Sequence, residues 1–238
     1  MEVGTFKDFK EGCRDGVPIC LGYFAVSFAF GIGAAGIGMT VFQAALTSLL
    51  NVTSAGQFSA LDVIKRNGSL IELAMLQLII NLRYMLMSAS LSQKLDPKTS
   101  TLNRLLISYG VTDEIFGVSV LKKGKLYPMF SYGIIITSVF GWVTGTAFGA
   151  FAGQILPQIL VSCLGLAIYG MFIAIIVPDT KRSNAVLGVV VGSMILSSLF
   201  TYAPYLKMLD SGYRIILITV VVAAIAAVVA PRKEKDNE

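Results

Sequence analysis

Apolar residues in this chain run in blocks of about twenty, and polar or charged residues are confined to short gaps between the blocks. The blocks occupy residues 16–38, 39–61, 69–93, 102–121, 126–151, 153–178, 183–203 and 211–231. About 30 Å of hydrocarbon needs roughly twenty helical residues at about 1.5 Å each, so every block predicts a membrane-crossing helix. Gly, Pro and charge mark the gaps: GIGAAGIG at 31–38, KRNGS at 65–69, KLDPKTS at 94–100, KKGKLYP at 122–128, Pro157, PDTKRS at 178–183 and the stretch from Pro204 to Gly212. The expected fold class is all-α, a polytopic transmembrane bundle of about eight spanning segments with one or more broken helices. Residues 1–15 read as a cytoplasmic lead-in, 16–231 as a single transmembrane domain and 232–238 as a cytoplasmic tail.

Composition agrees with the pattern. Only 14% of the residues are charged, where soluble domains carry about a quarter, and 55% are hydrophobic. The net charge of +5 sits at segment ends and forms no continuous patch, so it reads as a topology signal and not as a nucleic-acid surface. With eight crossings and the amino terminus inside, Lys94, Lys98, Arg104, Lys207 and Arg214 fall outside, Arg83 falls within the membrane, and the other 13 of 19 basic residues fall inside. Both termini are then cytoplasmic. The weakly apolar 102–121 block is the one whose full crossing is least secure, because re-entry there is also compatible with its composition.

Several chemistries lose a required part. No His occurs, which removes imidazole metal sites, Ser-His nucleophiles and His relays. Cys13, Cys20 and Cys163 are isolated, so neither a metal site nor a disulfide framework is expected. No cofactor is implied. The run Gly31, Gly33, Gly36 matches G-x-G-x-x-G, yet it lies inside an apolar helix without the strand-turn-helix context a dinucleotide needs. Gly141, Gly145, Gly149 and Gly153 recur every four residues and predict a helix-packing stripe, which Gly188 and Gly192 repeat on a smaller scale.

Polar side chains within hydrocarbon cost free energy, about 2.5–3.5 kcal/mol for a central Arg or Asp on insertion scales, so each needs a reason. Three places stand out. Residues 51–59, with Asn51, Ser54 and Gln57 around a Gly, suggest a broken helix whose freed backbone lines a cavity, or else interhelical hydrogen bonding. Arg83 lies too deep for any loop and must face the bundle interior or water; Asn81, about 200° round the helix, cannot share its face unless the helix unwinds. Asp113 and Glu114 lie at a depth similar to that of Arg83, so an ion pair is geometrically open, and a carboxyl group held there can carry a proton. A structural ion pair is the alternative for each of these charges.

At these residues the chain resembles the AzlC family, the large subunits of branched-chain amino acid exporters. The resemblance rests on SAGQF (54–58), NLRYMLMSASL (81–91), YGVTDEIFGVS (109–119) and GWVTGTAFGAFAG (141–153), in the family's order, and runs through nearly the whole chain. Tyr84 departs from it: relatives often have His after the Arg, which speaks against a proton role for this position. The resemblance implies export of leucine, isoleucine, valine or similar apolar amino acids, driven by the proton gradient. It further implies a small hydrophobic AzlD-type partner subunit and the cytoplasmic (inner) membrane of a bacterium. Chemically, Arg83 would hold the substrate carboxylate and Asp113 or Glu114 its ammonium group. An enzyme is not expected, while a scaffold subunit or a channel without coupled transport remains a rival reading.

Overall fold

The structure is a computed structural model that describes residues 4–157, 159, 173, 177, 180–181, 183–202 and 211–229. Among the described residues the chain is all helical, with α1 (Phe6–Gly36), α2 (Val41–Leu50), α3 (Ser54–Lys65), α4 (Leu70–Lys94), α5 (Thr101–Tyr109), α6 (Asp113–Leu121), α7 (Pro128–Ile155), α8 (Asn184–Tyr202) and α9 (Ser211–Val229). Most of the predicted 153–178 segment, Cys163 and the 232–238 tail lie outside the described residues. The helix over 16–38 starts ten residues earlier than its apolar block, because Thr5 and Asp8 form a reciprocal capping box ahead of Phe6. Among the described residues four helices, α1, α4, α7 and α8, are long and apolar enough to cross a membrane.

The centre of the fold is the pair α1 and α7, which lie side by side and run in the same direction. Gly12 and Gly16 meet Phe130 and Ile134, Gly141 meets Cys20, Gly145 meets Phe24, Gly149 meets Phe28 and Gly153 meets Ile32. Backbone touches backbone along this seam: a Cβ added to Gly149 would lie 2.0 Å from the Phe28 carbonyl oxygen, and one on Gly31 would lie 2.2 Å from that of Thr146. The four-residue glycine stripe is therefore a packing surface, and so is the run that begins at Gly31. Gly188 and Gly192 behave differently, since among the described residues an added Cβ meets nothing within 4 Å at either.

The 39–61 and 102–121 blocks fold differently from straight crossings. Each is two short helices joined by a three-residue break, at 51–53 and at 110–112. Helices of 9 to 12 residues rise only about 14–18 Å, half the hydrocarbon thickness, so neither partner crosses alone. Contacts give the path. Taking the end of the bundle where α1 and α7 begin as the near end, α2 starts at the far end. There Ala44 joins Phe30, Ala34, Leu61 and Ala150 in one apolar cluster, and Leu61 belongs to the last turns of α3. The α2–α3 unit thus goes in from the far end and returns to it, after which α4 spans the whole bundle.

Helix α4 finishes at the near end, where the Asp96 N–H donates to Leu126 O at 3.0 Å and the Leu126 N–H donates to Lys94 O at 3.0 Å. Lys125 pairs with Asp96 at 3.5 Å, and Lys122 pairs with Glu11 of α1 at 2.7 Å. Residues 94–98 and 122–126 therefore share one end, and the α5–α6 unit dips in from the near end and comes back. This corrects the straight-through placement of Lys65 and Arg66 on one side with Lys122, and of Lys94, Lys98 and Arg104 on the other. Hydropathy sums apolar content along a block and cannot register a reversal inside it.

The corrected path also improves the charge distribution. In residues 4–157 the near end carries Lys7, Lys10, Arg14, Lys94, Lys98, Arg104, Lys122, Lys123 and Lys125, and the far end only Lys65 and Arg66. Nine against two replaces eight against three for the straight-through path over the same residues. The expected outcome of impermeant maleimide labelling in sealed membranes, with the native cysteines replaced, is that Lys98→Cys and Lys123→Cys react from the same side and Lys65→Cys from the opposite one. Labelling of positions 98 and 123 from opposite sides would refute this path.

Candidate functional site

The two breaks meet halfway along the bundle, and each ends in the same pair of residues, Val52-Thr53 and Val111-Thr112. Val and Thr are stiff at χ1 and weak helix formers, and Asn51 and Gly110 before them favour a turn, so both helices stop where they do for local reasons. Thr53 and Thr112 are extended (ψ 111° and 171°) and begin the returning helices α3 and α6. The tips touch, because the Tyr109 hydroxyl at the end of α5 donates to the Leu49 carbonyl near the end of α2.

The two returning helices start differently. Thr112 accepts the Ile115 N–H at 3.3 Å, and Asp113 and Glu114 place negative charge on the first turn of α6, where the helix dipole favours it. Thr53 instead gives its hydroxyl hydrogen to Asn81 Oδ1 at 2.8 Å and caps nothing, so the first turn of α3, at Ser54 and Ala55, has neither a side-chain cap nor an acid.

Helix α4 remains regular through its polar centre, and Asn81 and Arg83 consequently face different neighbours. Asn81 turns to α3 and also meets Gln77, which donates to Gly56 O at 2.7 Å. Arg83 turns to α6 and pairs with Asp113 at 2.9 Å, with its guanidinium 5.1 Å from the Tyr84 ring. Arg83 and Asp113 are 49% and 47% exposed, so this pair is not sealed inside the described bundle. Glu114 takes a different partner, the Tyr23 hydroxyl of α1 at 2.6 Å, and the same hydroxyl lies 2.6 Å from Thr112 Oγ1.

Behind the tips lies a buried polar hub. Gln57, fully buried, donates to Ser48 Oγ at 2.9 Å and accepts from Trp142 Nε1 at 2.7 Å; Ser48 in turn meets Thr146 Oγ1 at 2.6 Å. The Trp142 ring sits edge-on to Tyr23 with centroids 5.3 Å apart. Both hairpins are thus tied to the same short stretch of the α1–α7 seam, the first through Gln57 and the second through Tyr23.

Of the residues singled out in the sequence, Arg83, Asp113, Glu114 and Asn81 come together around the tips. Gln57 lies behind them in the hub. Asn51 and Ser54 occupy the first tip itself, half-buried and without a side-chain hydrogen bond among the described residues. Sequence reasoning passed over Tyr23, Ser48, Gln77, Trp142 and Thr146. Each is a neutral polar group of a kind common in apolar helices, and only the requirement that buried donors and acceptors be paired could have flagged it. Among the described residues no cluster of His, Cys, Asp and Glu could hold a metal ion.

Comparison with known proteins places the chain among membrane proteins. The family model described as AzlC protein matches residues 18–156, which runs from α1 to the end of α7. The inner membrane protein YgaZ of Escherichia coli (strain K12) is 28% identical over 202 residues, covering 81% of this chain and 82% of the relative. An uncharacterized membrane protein of Archaeoglobus fulgidus is 30% identical over 191 residues, covering 79% and 84%. One from Helicobacter pylori (strain J99) is 28% identical over 152 residues, covering 62% and 65%. No solved structure gives a significant match. With its long apolar helices and these relatives, the chain is a multi-pass membrane protein, and it belongs to the AzlC family.

Proposed function

We propose that this protein is a secondary transporter that exports branched-chain or similar apolar amino acids, coupled to the proton gradient, as the large subunit of a two-component exporter. The observation that carries the reading is the half-exposed Arg83–Asp113 pair beside two touching hairpin tips at mid-depth. Interrupted helices at mid-membrane mark substrate sites in transporters because their freed backbone groups can meet a polar cargo without facing lipid. A zwitterion needs a cation for its carboxylate and an anion for its ammonium group. Arg83 and Asp113 supply one of each, and the uncapped first turn of α3 offers further N–H donors to a carboxylate. The apolar helices around them would receive the aliphatic side chain.

The reading includes a small hydrophobic AzlD-type partner in the cytoplasmic membrane of a bacterium. The basic near end, with the amino terminus, would face the cytoplasm under the positive-inside rule. Glu114, held by Tyr23, and Asp113, held by Arg83, are the groups proposed to carry the coupled proton. Efflux of labelled leucine, isoleucine and valine is expected to rise when the chain and its small partner are supplied to cells lacking both. Unchanged efflux of all three would reject the substrate assignment. Glu114→Gln is expected to leave exchange of internal for external leucine intact while abolishing the acceleration of net efflux by an imposed pH gradient, whereas Asp113→Asn, which also removes the anion offered to the ammonium group, is expected to weaken exchange as well. A full response to the gradient in both variants would remove the pair from coupling.

A further inference from the structure

The first six helices form two copies of one unit related by inversion. α1 runs from the near end to the far end and is followed by a hairpin, α2–α3, that dips in from the far end. α4 runs the opposite way and is followed by a hairpin, α5–α6, that dips in from the near end. The units match in their parts, a long helix, a short helix, a three-residue break ending in Val-Thr, and a second short helix. Each returning helix runs parallel to the long helix of its own unit: Phe30 and Gly33 of α1 meet Phe58 and Leu61 of α3, and Arg83 and Lys94 of α4 meet Asp113 and the Val120 carbonyl of α6.

The polar contacts of the tips cross between the units. Thr112, at the tip of the second unit, is held by Tyr23 from the long helix of the first. Thr53, at the tip of the first unit, is held by Asn81 from the long helix of the second. Tyr23 and Asn81 are the counterparts of each other in the inverted repeat, since each stands near the middle of its long helix and donates to or accepts from the hydroxyl of the opposite tip. The first contact holds the hairpin that enters from the near end, and the second holds the hairpin that enters from the far end.

We infer that Tyr23 and Asn81 are positioning residues that act as two opposed latches, with release of the Tyr23–Thr112 contact opening the central site to the near end and release of the Asn81–Thr53 contact opening it to the far end. This rests on the reading that the tips line a transport passage, but the latches make a demand of their own: two substitutions in one protein must move access in opposite directions. A purely structural role for the two contacts would loosen both ends alike.

The test uses the full chain with its native cysteines replaced and Ser54→Cys as a reporter between the tips, labelled by an impermeant maleimide from either face of sealed membranes without any substrate. Tyr23→Phe, which removes the contacts of the hydroxyl with both Thr112 and Glu114, is expected to raise the ratio of near-end to far-end labelling rates at least about fivefold, the population shift of about 1 kcal/mol, and Asn81→Leu to lower it by a similar factor. Because the long-helix substitutions could disturb packing, the contacts are also removed from the tip side: Thr53→Val should reproduce the second shift, and Thr112→Val combined with Glu114→Ala, since Tyr23 holds both residues, should reproduce the first. Shifts of the same sign, or an unchanged ratio in variants that elute as folded protein, would overturn the latches. The readout needs no transported molecule, so an error in the assigned substrate leaves it intact.

Discussion

Replacement of Gly149 by Leu is expected to prevent this protein from accumulating as a folded species, whereas the same replacement at Gly188 leaves it stable. At Gly149 the added Cβ would lie within 3 Å of three backbone or Cα atoms of Phe28, and no rotamer change in a neighbour can relieve a clash with main chain. The two helices would have to separate along their whole seam. Their close approach rests on dispersion contacts that fall away within an ångström, and lipid offers no hydrophobic drive to restore them. Overpacking of this kind costs about 3 kcal/mol or more where nothing can yield, a large share of a total stability of roughly 5–15 kcal/mol. At Gly188 an added Cβ meets nothing within 4 Å among the described residues. Size-exclusion profiles and thermal unfolding in detergent would check the contrast, and equal stability of the two variants would contradict the assigned seam.

Arg83→Ala is expected to abolish export while leaving membrane insertion and folding in place. The guanidinium is 49% exposed and lies against α6 without filling a core, so its removal opens no buried cavity. Its loss takes away the charge-assisted donors offered to a carboxylate, worth up to about 3 kcal/mol, or roughly a hundredfold in apparent affinity. Arg83→Lys keeps the charge but not the planar fork, and should retain only part of the activity. Arg83→Ala combined with Asp113→Ala removes the unpaired carboxylate that the single variant leaves behind. It should match or exceed the single variant in stability and remain inactive. Labelled leucine efflux, measured beside membrane levels of each variant, separates these effects, and export near the parent level in Arg83→Ala would exclude the residue from the site.

The long apolar blocks, the glycine stripe and the need of Arg83 for a partner at Asp113 or Glu114, though not which of the two, were legible in the sequence for one reason: each is a local cost that burial must compensate. A charge at mid-block demands a partner, and a four-residue glycine period demands a close neighbour. The direction of the short helices was not legible. Nothing in the composition of residues 39–61 or 102–121 distinguishes a helix that continues beyond Val-Thr from one that turns back, because both bury the same apolar surface. That information resides in contacts distant in sequence, such as Leu95 with Leu126 and Ala44 with Leu61. The inverted repeat was hidden for the same reason, since its shared residues are few and its kinship lies in geometry. Tyr23, Ser48 and Trp142 escaped notice because each is an ordinary core residue until its hydrogen-bond partner is in view.

The two tips are alike in backbone and opposite in endowment: Asp113 and Glu114 head one returning helix, while Ser54 and Ala55 head the other. Two units of opposite orientation present like architecture to the two faces, and α7, which lies along α1, already sets those faces apart. The driving gradient sets the direction of net flux, and what the side chains that differ between the halves set, together with α7, is how unequally the two ends open.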